Sequence, residues 1–191
     1  MWILYAFGSA FFAGLTAVLA KCGIEHTNSH LATALRTIVV LIFSWIMVGI
    51  VSSFDTIHTI THKTFLFLIL SGISTGASWL CYFKALQLGN INKVTAVDKT
   101  SVVLTIILSL IFFKESVTVY KIIGIISLTT GTYLMVEKKE DNKQTNNAWL
   151  LYAVLSVFFA SLTTILGKIG ITNIESNLGT AIRTSVVLIT S

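Results

Sequence analysis

Apolar residues run along this chain in long blocks separated by short polar stretches. The blocks span 2–21, 31–52, 65–86, 93–113, 117–136 and 149–168, and a seventh, 177–191, begins and stops short. About 20 residues of helix cross the roughly 30 Å hydrocarbon layer of a bilayer, so six of these blocks have the length of a membrane span. Ile38 to Ile50 and Val102 to Phe113 are apolar on nearly every side. Outer-membrane strands instead alternate apolar and polar over about ten residues, so the pattern predicts helices. The expected fold is an all-α membrane protein of about seven hydrophobic segments, the last one incomplete.

The pattern also repeats. Trp2-Ile-Leu-Tyr-Ala6 aligns with Trp149-Leu-Leu-Tyr-Ala153, and the match continues without gaps to Ser44 over Ser191, with roughly 25 identities in 43 positions at an offset of 147 residues. The matched pairs include Thr16 and Thr163, Lys21 and Lys168, Gly23 and Gly170, and Arg36 and Arg183. One offset contains five predicted helices. Five is odd, so a second copy runs through the membrane in the opposite sense to the first, an inverted-topology repeat of the kind secondary transporters use. The expected organisation is a five-helix repeat at 1–136, a polar linker at 137–148 and the start of a second repeat at 149–191. A complete second copy would end near residue 290, and the expectation is therefore that the 191-residue chain is a truncated product.

Composition agrees with the pattern: 54% of residues are hydrophobic, 11% are charged, and the mean hydropathy is +0.86. Soluble domains carry about a quarter charged residues. No basic segment precedes Trp2 and the stretch recurs internally, which excludes a cleaved signal peptide. The formal charge of +5 is dispersed over loops and helix ends, so lipid headgroups are the expected counter-charge and no nucleic acid is expected. Seven Lys and Arg lie on one predicted face (Lys21, Arg36, Lys84, Lys93, Lys138, Lys139, Lys143) and five on the other (Lys63, Lys114, Lys121, Lys168, Arg183), too even a split to orient the chain. Cys22 and Cys81 form no disulfide framework.

Candidate chemistry concentrates in the third and fourth blocks. Asp98-Lys99 lies inside the fourth, where an ionisable group costs about 2.5–3.5 kcal/mol at the bilayer centre on insertion scales. Lys99 has a stem long enough to reach the headgroups, whereas Asp98 requires protein, water or a cation beside it. Asp98 shares a helical face with Ser101, Thr105 and Ser109; Ser71, Thr75, Ser78 and Tyr82 form a similar stripe near Trp79. Either stripe serves a wet path or helix-to-helix hydrogen bonding. In the purely structural account, Asp98 pairs with Arg36 or Lys21. Gly72-xxx-Gly76 is a close-packing motif. His26-xxx-His30 and His58-xxx-His62 have metal-compatible spacing, but the pairs fall on opposite membrane faces and the second copy has Asn173 and Asn177, so no metal site is expected. No enzymatic motif is present and no cofactor is expected.

Several further segments resemble a known family. Lys21-Cys-Gly23, Arg36 early in helix two, the run Gly76-Ala-Ser-Trp-Leu-Cys-Tyr-Phe-Lys-Ala-Leu-Gln-Leu-Gly89, and Phe113-Lys-Glu-Ser-Val-Thr118 ahead of Gly124 and Gly131 are similar to the EamA-type domain of the drug/metabolite transporter superfamily. The resemblance implies two inverted five-helix halves, or a five-helix unit that dimerises, carrying metabolites or drugs. A proline is common near the start of helix four in that family; this chain has Asp98-Lys99 there. Glu115 matches the family's acidic turn, a structural role beside a Thr118 N-cap.

The expectation is a non-enzymatic secondary transporter, multi-pass in a bacterial-type plasma membrane, moving a small polar metabolite or drug by alternating access. The expected solute-binding set is Asp98, Lys99, Ser101, Thr105, Thr75, Ser78, Trp79, Tyr82 and Arg36, with possible proton or cation coupling at Asp98. An antiparallel homodimer is the expected route to activity for a chain that lacks helices eight to ten. The alternatives are cation efflux of the small-multidrug-resistance type, disfavoured by a first helix without an acid, and a structural or lipid-handling subunit.

Overall fold

The computed structural model describes residues 2–24, 29–52, 57, 60–114, 118–135, 148–171 and 174–190. Those residues form seven α-helices: α1 (Trp2–Ile24), α2 (Ser29–Ile50), α3 (His62–Leu88), α4 (Ile91–Phe113), α5 (Val119–Met135), α6 (Ala148–Gly170) and α7 (Ser176–Thr190). Among the described residues there is no strand. Helices α1, α2, α3, α4 and α6 are long and apolar enough to cross a membrane, α5 is a shorter apolar helix, and α7 has 15 residues. The chain is an all-α, multi-pass membrane protein.

Local chemistry explains where the helices stop. Gly89 and Asn90 make the tight turn between α3 and α4: the Gly89 amide donates to the Ala85 carbonyl at 2.8 Å, and the Asn90 side chain caps α4 by accepting from the Asn92 amide at 2.9 Å. Lys114 ends α4 in the left-handed region, with φ of 48°. The Glu175 carboxylate accepts from the amides of Asn177 at 2.9 Å and Leu178 at 3.2 Å, placing negative charge at the positive end of α7. Thr118 precedes α5, with its carbonyl accepting from the Lys121 amide. Glu115, His26, His58, Asn173 and the polar linker lie outside the described residues.

Hydrocarbon offers no hydrogen bonds, so most intramembrane hydroxyls bond within the protein, although among the described residues Thr95 Oγ1 on α4 is buried without a hydrogen-bond partner. Thr37, Ser44, Thr130 and Thr184 donate to the carbonyl four residues earlier on their own helix. Others join helices. Ser71 Oγ donates to the Thr163 carbonyl and Ser78 Oγ to the Ser156 carbonyl, both at 3.0 Å, which makes α3 and α6 antiparallel.

Small residues set the second contact of α3. A Cβ built on Gly72 would lie 2.7 Å from Val186 Cβ and 2.9 Å from the Arg183 carbonyl oxygen, and one on Gly76 would lie 2.7 Å from Thr190 Oγ1. The Gly72-xxx-Gly76 face is therefore a seam with α7, and the numbering makes α3 and α7 parallel.

The repeat is visible in three dimensions. Arg36 of α2 lies over Trp79, while Val48 packs in one cluster with Leu178 and Ala181, flanked by Ile60. Helix α2 therefore opposes both α3 and α7 in direction. Since α2 and α7 are copies in sequence, the second copy is inverted with respect to the first. Helix α3 is the hub, packing most extensively on α6, then on α7, with α4 against α6 and α2 against α7. Helices α1 and α5 are peripheral, with Leu4, Phe7, Tyr120 and Leu134 exposed as lipid-facing residues are.

Candidate functional site

A cavity of about 260 Å³ opens where α1, α2, α3, α4 and α6 converge. Each wall has its own chemistry. Helix α4 supplies Asp98, Lys99 and Ser101, α3 supplies Ser78, Trp79 and Tyr82, and α2 supplies Arg36. Helix α1 contributes Ala13, Thr16, Ala17 and Ala20, and α6 contributes Ser156 and Ala160.

The charged groups are held by neighbours of the right kind. The Arg36 guanidinium carbon sits 4.3 Å from the centroid of the Trp79 ring and 5.8 Å from that of Phe83, a cation–π platform. Phe83 is buried in the cluster with Ala85, Leu86, Val94 and Ala153, against which Trp79 and Tyr82 pack, so the platform rests on a buried apolar cluster. Asp98 accepts a long hydrogen bond, 3.5 Å, from Ser156 Oγ. Ser156 Oγ lies 3.3 Å from Ser78 Oγ, so a chain of polar atoms runs from α4 through α6 to α3. Among the described residues neither Arg36 nor Lys99 closes an ion pair with Asp98. The purely structural account in which Arg36 pairs with Asp98 is not what the structure has; both charges face the cavity instead.

Of the nine residues expected from sequence, Arg36, Ser78, Trp79, Tyr82, Asp98, Lys99 and Ser101 line this one cavity. Thr75 and Thr105 do not. Thr75 Oγ1 donates to the Ser71 carbonyl at 2.7 Å and lies 3.3 Å from Thr163 Oγ1, buried in the α3–α6 seam. Thr105 stands two turns beyond Asp98, past the point where Ser161 Oγ meets the Ser101 carbonyl at 3.2 Å and closes α6 onto α4. Each stripe is thus part cavity wall and part seam.

Sequence reasoning placed the site on α3 and α4 and missed the walls from α1 and α6. A signal was present: Ser156, Ala160 and Thr163 are identical to Ser9, Ala13 and Thr16 at the repeat offset, and identity of small and hydroxyl residues marks a constrained face.

The family model for the EamA-like transporter family matches residues 1–137. A curated relative, described as an uncharacterized transporter in the cobO 3'region of Sinorhizobium sp, is 40% identical over 134 residues, covering 70% of this chain and 95% of the relative. No solved structure matches the chain.

Proposed function

The chain belongs to the EamA-like transporter family, and from that premise we propose that it is a secondary transporter moving a small polar metabolite across a bacterial plasma membrane by alternating access. The observation that carries the proposal is the cavity itself, with Arg36, Lys99 and Asp98 around one space inside a bundle of apolar helices. Charges in such a position are expensive and mark solute or ion paths. The cavity also lies against α6, the first helix of the inverted copy, and solute sites of inverted-repeat carriers form where the copies meet.

In this reading Asp98 receives a cationic group or a proton, Arg36 and Lys99 receive an anionic group, and Trp79 and Tyr82 form a rigid wall. Cation efflux of the small-multidrug-resistance type fits less well, because two cations and one acid line the cavity and α1 carries no acid.

The test is flux. The full chain reconstituted in liposomes should take up or exchange a solute from a pool of small metabolites, and Asp98→Asn should reduce that flux at least tenfold while leaving helical content unchanged. Normal flux in the variant would remove Asp98 from the mechanism, and absence of flux with every pool would favour a structural or lipid-handling subunit.

A further inference from the structure

We infer that Arg183 is the centre of a second binding site, outside the central cavity, and that this site takes a compact oxyanion, either free or as the phosphate of a lipid headgroup. Arg183 lies at the middle of α7 and is half-buried. Its guanidinium reaches across to α6: a Cβ built on Gly167 would lie 3.5 Å from Arg183 Nη1 and 3.4 Å from Ser71 Oγ. With no side chain at Gly167, that spot stays open, bordered by α3, α6 and α7. The repeat gives the position its meaning. Arg183 is the copy of Arg36 and Gly167 the copy of Ala20, and Arg36 and Ala20 line the central cavity together. Both copies thus bring a guanidinium to the same stretch of their first helix. Because the copies are inverted, the two places lie toward opposite ends of α3. Trp79 marks one and Ser71 the other, about 12 Å apart along the helix axis at 1.5 Å per residue.

The two arginines differ in what surrounds them. Arg36 is stacked on Trp79 and Phe83. Among the described residues Arg183 has no ring beneath it, and its guanidinium makes no hydrogen bond or ion pair. Lys168, next to Gly167 in sequence, is turned to the Phe113 ring, so the charge at the spot is that of Arg183. A purely structural arginine near the end of a helix spends its donors on the last carbonyls. Here the Gly167 carbonyl accepts instead from the Ile171 amide, at 2.9 Å. Five N–H donors in a fixed fork therefore stand unspent among apolar helices, and the group that matches the fork is an oxyanion offering two oxygens. A neutral or cationic ligand leaves the charge unanswered where an unpaired ion is costly.

The experiment titrates the purified full chain in an uncharged detergent and reads affinity from the ligand-dependent rise in melting temperature. One arm uses inorganic phosphate at constant ionic strength. The other uses phosphatidylglycerol beside diacylglycerol, which has similar tails and no phosphate. A saturable rise with inorganic phosphate identifies a site open to free oxyanions; a rise with phosphatidylglycerol alone identifies a headgroup site. Arg183→Gln should weaken the response at least about tenfold in half-saturating concentration. Gly167→Val, which keeps the charge and fills the spot, should weaken it to a similar degree. Should Arg183→Gln fail to fold, Gly167→Val is read alone. No saturable rise in either arm overturns the proposal, as does a half-saturating concentration that the substitutions leave unchanged. Arg36→Gln is the control at the other end of α3, and a loss there as large as that in Arg183→Gln returns the anion to the central cavity and overturns the second site. None of these readings depends on flux, so the outcome stands apart from the transport reading.

Discussion

A positive charge inside an apolar bundle needs a reason to stay in place, and at Arg36 the reason is a ring. The guanidinium lies 4.3 Å from the Trp79 centroid, and a desolvated cation–π contact is worth about 2 kcal/mol, against about 0.5–1 kcal/mol at an exposed site. Trp79→Leu should therefore lower unfolding stability by about 3 kcal/mol, a figure that combines about 2 kcal/mol for this contact with lost packing. Trp79→Phe retains a smaller ring and should lose about half as much. Denaturation of the two variants in mild detergent checks this, and equal losses would mean that the aromatic ring at position 79 contributes nothing. Arg36 and Asp98 were legible in the sequence because a charge in a run of apolar residues stands out by its desolvation penalty. Thr75 and Thr105 lie outside the cavity wall, and the sequence does not separate them from its lining because a hydroxyl serves a water path and an interhelical hydrogen bond with the same atom. Spacing shows which residues share a face; it does not show what that face meets.

Helices α1 and α6 are copies of one repeat element with different fates. On α6, Gly170 approaches α3 so closely that a Cβ would lie 3.2 Å from Leu68 Cδ2, whereas at its twin Gly23 on α1 no atom lies within 4 Å of a built Cβ. The helices themselves were legible to within a few residues at each end, since apolar run length depends on bilayer thickness alone. Partner choice was not, because two copies of one sequence face cannot reveal which of them is covered. The glycines of α3 are under still greater constraint, with Gly72 set against Val186 Cβ and a main-chain oxygen of α7. Backbone cannot move aside as a side-chain tip does. Gly72→Leu should separate α3 from α7 and cost about 2 kcal/mol or more, in the range of overpacked cores, while Gly23→Leu should change stability by less than about 0.5 kcal/mol. Thermal melts of both variants in the same detergent provide the comparison, and a Gly23 variant as damaged as the Gly72 one would show that the position is as closely packed in solution as Gly72.

At the scale of the whole molecule the directions of the helices constrain how the chain threads the membrane. Asp98 meets Ser156, and Ser101 meets Ser161 further along both helices, so α4 and α6 run the same way. A chain that leaves α4 on one side must return before it enters α6, and among the described residues α5 is the helix available to bring it back. Its 17 residues span about 25 Å at 1.5 Å per residue, a few ångströms short of the roughly 30 Å hydrocarbon layer. The deficit is tolerable, since mismatch costs only fractions of a kcal/mol per Å and is relieved by local thinning of the bilayer. Five crossings then separate the end of α1 from the end of α6. Single cysteines at Glu25 and Thr172, in a chain whose Cys22 and Cys81 are replaced, should accordingly react with an impermeant maleimide from opposite sides of sealed vesicles. Labelling of both from one side would mean an even number of crossings, leaving α5 on the surface and the parallel packing of α4 on α6 unattainable in the membrane. The near-even division of Lys and Arg between the two faces could not decide this from sequence, because inversion sends Lys21 with Arg36 to one side and Lys168 with Arg183 to the other.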